Sequence, residues 1–450
     1  MGNEVVRAGV LAGLLAAGGA TNAVAQNWSF DAREIALGGA GNGGDLAATM
    51  IEQESNYTAI VLPFGLLQVV PNWHVFNPSD DRFDPVRAAE YAASPIHYIV
   101  GRDDTDSGQR FVSDIRNATL SRDLNTYRGF VPAARLQEAG LAAPNWGGTI
   151  KFAKGAGGSF QGIFIGGGPY FSTQTSTVVD ERLRTFLASS TPVSAPNTSF
   201  RIDDVTTNQL AASIIGGYRA RVPLAGFTDE RSGLYLAANY RYLRGFALED
   251  FGLGLRLDTD AAGLLTVNPS SSPLAISRRH ASSGTGSAID VGVGAVLGRV
   301  ELGFGVNGIA NHIDWQNAER TNYTITSLLT GGDFVESPTT KVGDVRIELP
   351  VDYRGHAAYR SNTWSGSVEA GRNIQGNIFR GGLERWIGGA FAVRGGARYV
   401  RQRWEPRGGI GLNLSPRIGL DVTAFSTSAN LERKRHLAIA TSFRITKKRD

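Results

Sequence analysis

LAASIIGGYRARV, residues 210–222, decides the fold. Taken in steps of two, one face carries Leu210, Ala212, Ile214, Gly216, Tyr218, Ala220 and Val222, and the other Ala211, Ser213, Ile215, Gly217, Arg219 and Arg221. A period of two means a β-strand, because successive side chains point to opposite sides of the pleat. The run is 13 residues long. Strands of a soluble sandwich are typically about 5–6 residues, whereas a tilted strand needs about 9–11 to cross a bilayer.

The pattern recurs along the chain. Leu234, Leu236, Ala238, Tyr240 and Tyr242 alternate with residues that include Asn239 and Arg241. Phe251 to Leu257, Val300 to Val306, Phe391 to Tyr399, Ile418 to Val422 and Leu437 to Ile445 repeat it, with Gly, Ser, Asp and Arg on the second face. Candidate strands fall near 58–67, 149–154, 160–172, 209–222, 233–246, 248–258, 287–297, 300–311, 321–328, 344–359, 364–374, 377–387, 390–402, 407–414, 417–427 and 436–445. Segments without alternation, at about 68–148, 178–205, 259–285 and 311–343, are predicted as long loops. Gly298-Arg299 and Gly388-Gly389 have the chemistry of short turns. The reading is an all-β, antiparallel transmembrane β-barrel of about 14 strands, within a range of 12 to 16, occupying residues 58–450. Tyr240, Tyr242, Phe246, Trp386, Tyr399 and Trp404, near strand ends, are the expected interfacial girdles.

Composition narrows the alternatives. Cysteine is absent from the 450 residues, which excludes disulfide scaffolds and thiolate metal sites. Glycine accounts for 57 residues, well above the usual share of about 7%. The 21 Phe, 13 Tyr and 7 Trp argue against bulk disorder. No run in the body of the chain reaches ~18 apolar residues, which excludes a helical membrane protein. A net charge of +4 does not support a nucleic-acid binder, and Arg433-Lys434-Arg435 and Lys447-Lys448-Arg449 fit membrane interfaces near anionic head groups.

Residues 8–18, AGVLAGLLAAG, follow Arg7 and precede Ala23-Val24-Ala25. A short apolar core before an A-x-A site is the pattern of a cleaved export signal over residues 1–25, too short for an anchor. The expected location is therefore the outer membrane.

Two segments carry a resemblance. Ala32-Arg33-Glu34-Ile35-Ala36-Leu37-Gly38-Gly39-Ala40-Gly41 resembles the "ARxxxLGGAG" opening of the fatty-acid-transporter-like superfamily of outer-membrane barrels, which includes PorV-type barrels. Gly382-Leu383-Glu384-Arg385-Trp386 with Phe391-Ala392-Val393-Arg394-Gly395-Gly396 resembles that family's "GLEYW…FALRAGY" hairpin. The resemblance implies a monomer whose N-terminal segment, residues 26–57, enters the lumen as a plug through its glycines Gly38, Gly39 and Gly41. It implies a barrel that binds or passively admits small hydrophobic molecules. The alternative is a non-transporting barrel with a structural, adhesion or secretion-partner role. The expected partners are outer-membrane lipid, a hydrophobic ligand and, during biogenesis, the barrel-assembly machinery.

Other motifs lead elsewhere only weakly. Gly39 to Gly44 matches G-x-G-x-x-G, but a dinucleotide site also needs a βαβ unit. His280-Ala281-Ser282-Ser283-Gly284 has the His-x-Ser spacing of outer-membrane phospholipase A, yet reads as a Ser/Gly-rich loop. Asp103 to Gly108 offers spaced oxygen ligands, but position twelve is Ile115 counted from Asp104, or Asp114, a shorter carboxylate than glutamate, counted from Asp103. No catalytic residue, metal site or cofactor is expected. Alternation instead turns Glu384, Arg394, Arg398, Asp421 and Arg444 inward, provided that Leu383, Val393, Leu420 and Phe443 face lipid. An arginine on lipid would cost about 2–4 kcal/mol at the midplane, which favours this register. Arg385 is then turned outward, beside the turn.

Overall fold

The computed structural model describes residues 31–39, 46, 50–51, 57–62, 64–76, 97–100, 135–143, 146–155, 158–180, 182, 196–227, 231–263, 265–266, 274–325, 334–373, 376–400, 403–428 and 435–446. The export signal, Gly41, the Asp103–Gly108 segment and the Lys447–Arg449 tail lie outside them.

A short helix, α1 (Ala32–Ala36), precedes twenty strands. These are β1 (Tyr57–Leu62), β2 (Tyr98–Val100), β3 (Arg135–Ala142), β4 (Trp146–Lys154), β5 (Phe160–Val179), β6 (Ser199–Pro223), β7 (Gly233–Thr259), β8 (Leu265–Thr266), β9 (Leu274–Ala281) and β10 (Gly284–Leu297). They continue as β11 (Val300–Ile325), β12 (Phe334–Glu336), β13 (Thr340–Glu348), β14 (Asp352–Arg360), β15 (Trp364–Asn373), β16 (Gly376–Ile387), β17 (Phe391–Val400), β18 (Arg403–Asn413), β19 (Ile418–Ser428) and β20 (Arg435–Thr446).

All strands join one antiparallel sheet, and the first strand pairs with the last. Six of the twenty open no new place in the ladder. β2 continues the edge held by β1, β3 that of β4, β8 and β9 that of β10, and β12 and β13 that of β14. Fourteen ladder positions remain, as the sequence predicts. The chain is thus a β-barrel of the outer-membrane type.

The faces fall as the alternation requires. Ile214, Leu236, Phe304, Val368, Leu383, Val393 and Leu437 are exposed on the outside, while Arg219, Asn239, Asp290, Glu301, Arg354 and Asp421 are buried inside. Only lipid makes the first set sensible, since each large apolar side chain left in water forfeits about 1.5–3 kcal/mol. Aromatic contacts mark the border of this band. Tyr399 lies 5.2 Å from Trp404 and 6.1 Å from Phe379, and Tyr359 stacks on Trp364 at 4.6 Å.

Several expectations change. The predicted loops at 68–148, 178–205, 259–285 and 311–343 contain strand in part: β2, β3 and the start of β4 fall in the first, β6 begins in the second, β8, β9 and the start of β10 fall in the third, and much of β11 with β12 in the last, while β6, β7 and β11 run for 25, 27 and 26 residues. At ~3.4 Å per residue these exceed the ~30 Å hydrocarbon core and project beyond it, where an apolar face is no longer needed. The strands expected at 233–246 and 248–258 are one strand with a bulge. Leu210 pairs with Ala247 and Ala211 with Gly245, so Phe246 is the extra residue and the apolar phase changes there. His280 is likewise not in a loop, since β9 pairs it with Glu249 and Glu319. Trp386 leaves the expected girdle: its even-numbered position turns it inward, where the Arg444 guanidinium lies 4.9 Å from its ring.

Candidate functional site: the lumen

The inner wall carries three zones. The first lies at the short-turn end and holds α1. Asp31 caps this helix by accepting from the Arg33 N–H at 3.1 Å. Ser442 Oγ donates to Asp31 Oδ1 at 2.6 Å and accepts from the Ala32 N–H at 3.2 Å. Thr423 Oγ1 donates to the Ala32 carbonyl. Arg33 grips Glu384 with both edges of its guanidinium, at 2.9 and 2.8 Å. A bidentate arginine–carboxylate contact fixes direction as well as distance.

Glycines make room for this helix. An added side-chain carbon at Gly382 would stand 2.5 Å from Leu37 Cα, at Gly396 2.6 Å from the Ala36 carbonyl oxygen, and at Gly409 2.9 Å from Ala36 Cβ. These three positions sit on the adjacent strands β16, β17 and β18 and form a cradle. From the other side, Gly38 and Gly39 have φ of +74° and +77°, which glycine adopts without strain. A carbon on Gly38 would meet the Ala397 and Gly381 carbonyl oxygens at 2.6 and 2.8 Å. Farther round the wall, Leu46, Met50 and Ile51 are buried against Phe160, Tyr235, Ala237 and Val296.

Four of the five inward charges expected from sequence meet here. Glu384 stands directly opposite Arg394, whose Nε donates to Glu384 Oε2 at 2.6 Å. Arg394 Nη1 donates to Asp421 Oδ1 at 2.7 Å, and Arg444 Nε lies 3.5 Å from the other Asp421 oxygen. Arg398 is separate: it pairs with Glu405 at 2.7 Å, and Glu405 also accepts from Arg407 at 3.0 Å. Arg33 and Glu405 belong to these networks without having been singled out by strand alternation. Arg33 stands in α1, and Glu405 lies just before the predicted 407–414 strand.

The second zone is a charged band halfway along the wall. Arg241 Nε donates to Asp290 Oδ2 at 2.6 Å, and the Gly308 N–H donates to the other Asp290 oxygen at 2.9 Å. Farther along the same ladder, on β14 to β16, Arg354 pairs with Asp352 at 2.7 Å, and Arg380 with Glu369 at 3.2 Å.

The third zone is apolar. Leu141, Tyr170, Ala211, Leu243, Leu248, Ile313, Trp315 and Leu349 form one buried cluster, with Val345 and Ile347 packed against it. Trp315 lies over two glycines in register with it, Gly284 and Gly245. Carbons added at those positions would come within 3.0 Å of its ring. Its indole N–H donates to Gln209 Oε1 at 2.9 Å, and Gln209 Nε2 donates to Ser172 Oγ at 2.9 Å. Tyr170 donates to Asn311 Oδ1 at 3.1 Å. These side chains are buried against one another with only a few fixed polar atoms among them, a composition like that of a hydrophobic-ligand pocket. Ile313, Trp315 and Ala318 of this cluster lie in the 311–343 stretch, which reads as a loop in the sequence.

No family model and no curated protein matches the chain. Among solved structures it is similar to the P. putida toluene transporter TodX, at 12% identity and a TM-score of 0.31, covering 74% of this chain and 93% of that one. The Ralstonia pickettii toluene transporter TbuX gives 10% identity and a TM-score of 0.34, covering 71% and 91%. The CymD monoaromatic hydrocarbon channel gives 11% and 0.28, covering 81% and 97%. At these identities and scores the likeness carries nothing about cargo.

Proposed function

We propose that this chain is an outer-membrane barrel that binds small hydrophobic molecules and lets them pass inward. The observation that carries the reading is the apolar belt around Trp315, Leu243 and Leu248. A barrel whose lumen served only to hold water would gain nothing from apolar side chains there. In this reading the N-terminal segment, residues 26–57, is the plug that holds the periplasmic mouth shut to polar solutes. The cradle of Gly382, Gly396 and Gly409 and the Arg33–Glu384 contact support that role. Apolar cargo would rest in the belt above the plug, shielded from the charged bands.

Binding tests the assignment directly. Purified full-length barrel in detergent is titrated with toluene while tryptophan fluorescence is followed. Saturable binding is expected, weakened severalfold by Leu248→Asp, a change that places a carboxylate in the belt. Toluene binding that is non-saturable, or indifferent to Leu248→Asp in a barrel that still migrates as folded, would contradict the reading.

A further inference from the structure

The lipid-facing wall carries a hollow of its own. A groove of about 950 Å³, lined mostly by apolar residues, crosses it between Leu234 on β7 and Trp404 on β18. Its middle is one row of the ladder, in which Phe304, Gly355, Ala370 and Phe379 stand side by side on β11, β14, β15 and β16. The two phenylalanines are exposed and lie three strand spacings apart, about 14 Å, with only a glycine and an alanine between them. Ala357 and Gly381 carry the small floor into the next row.

No contact within the chain asks for these glycines. A carbon added at Gly355 would have its nearest neighbour at 3.7 Å, and one at Gly381 at 3.6 Å, both ordinary contacts. The inward-facing Gly382 and Gly396 differ, because α1 occupies the space beside them. On the lipid side, a missing side chain lets something outside the protein approach the backbone closely.

The hollow has two ends. Tyr359, stacked on Trp364, closes the end toward the short turns. From there up β14 to Tyr353 is about 20 Å at ~3.4 Å per residue. With strands tilted by about 40°, this gives ~15 Å of depth, half of the ~30 Å hydrocarbon core and so the reach of one leaflet's acyl chain. The outer end is polar. Tyr353, Arg372 and Asn377 form one row across β14, β15 and β16, and all three are exposed. Among the described residues their side chains have no hydrogen-bond or ion-pair partner. The nearby acids Asp352 and Glu369 face the lumen, held by Arg354 and Arg380. An arginine on the lipid face is tolerated near the interface, and there it meets the plane of the head groups.

We propose that β14 to β16 hold one phosphorylated lipid of the outer leaflet, its phosphate on Arg372, Tyr353 and Asn377 and one acyl chain in the hollow between Phe304 and Phe379. The uncompensated Arg372 selects an anionic head group, and the apolar trough below it selects a lipid over a free anion. The site is on the outside of the barrel and does not depend on what the lumen passes.

The test uses the full-length barrel in detergent, titrated with diphosphoryl lipid A, with bound lipid counted by native mass spectrometry and folding verified by heat-modifiable migration. One saturable lipid is expected. Arg372→Gln should weaken it by about tenfold, the scale of one lost charge-assisted hydrogen bond, and dephosphorylated lipid A should bind the parent at least as weakly. Ala370→Phe, which fills the trough, should weaken it similarly; if that variant does not fold, Ala370→Leu serves the same purpose. Arg385→Gln, an outward arginine at the opposite end of β16, should change nothing. Absence of a saturable lipid, equal binding of the dephosphorylated form, or parent-like binding by Arg372→Gln or the trough variant would each overturn the proposal. So would displacement by inorganic phosphate at equal concentration, or a barrel dimer that Ala370→Phe splits while lipid binding stays unchanged.

Discussion

Asp421 shows what one residue holds together in this wall. It is fully buried, and it faces Arg394 at 2.7 Å and Arg444 at 3.5 Å. Removing this carboxylate leaves Arg444 without its acidic partner and Arg394 with Glu384 alone, and breaking a buried pair typically costs about 3–5 kcal/mol. Asp421→Ala should therefore lower the unfolding midpoint in urea markedly, while Asp421→Asn should retain part of the loss through its remaining acceptor. Equal stability of Asp421→Ala and the parent would show that the network is solvated rather than buried. A second residue-scale prediction concerns register. Cysteines at Leu383 and Val393 should react with a lipid-phase label and cysteines at Glu384 and Arg394 should not, since the first pair is exposed outside and the second buried inside. The reverse labelling would displace the whole hairpin by one residue, because such a slip turns every side chain to the other face. Alternation alone was enough to read these faces: Arg394 and Arg398, had they been in phase with Val393, would have met lipid, and Arg385, which is in phase with Leu383, stands beside the turn. Trp386 was misread for the same reason in mirror image. An aromatic residue near a turn suits the interface, but its even-numbered position belongs with Glu384.

At the scale of elements, α1 and its cradle are the feature that the sequence discloses least directly. Gly382, Gly396 and Gly409 are scattered over 28 positions of chain, and only the pairing of β16, β17 and β18 brings them side by side. The family-like glycine segment pointed to the lumen, yet nothing in strand periodicity says which wall it would meet. The long strands were also cut short in the reading. β6 and β11 run on into stretches that carry no regular apolar face to betray them, whereas β7 keeps one, Phe251 to Leu257, almost to its end. The bulge at Phe246 split one strand into two by inverting the phase. Deletion of residues 31–39 tests the element's role. The barrel should still fold, because its ladder does not pass through α1, and small polar solutes should enter liposomes faster than through the parent. Unchanged permeability in a folded deletion variant would remove the plug from the account.

On the scale of the whole molecule, the barrel is a polar tube interrupted by an apolar belt, wrapped in an apolar skin. Strand number, closure and facing could be read from the sequence because lipid imposes them on every strand alike. The belt could not, since it is assembled from β3, β5, β6, β7, β9, β11 and the stretch before β14, and several of these segments had read as loops. The proposed function makes one claim above the others: that the lumen passes apolar molecules and resists polar ones. Flux through proteoliposomes containing the full-length, heat-modifiable barrel measures it most directly. Toluene should enter faster than into empty liposomes, sucrose should not, and Leu248→Asp should abolish most of the toluene difference without admitting sucrose. Sucrose entry equal to that of toluene, or a toluene flux untouched by Leu248→Asp, would contradict the account.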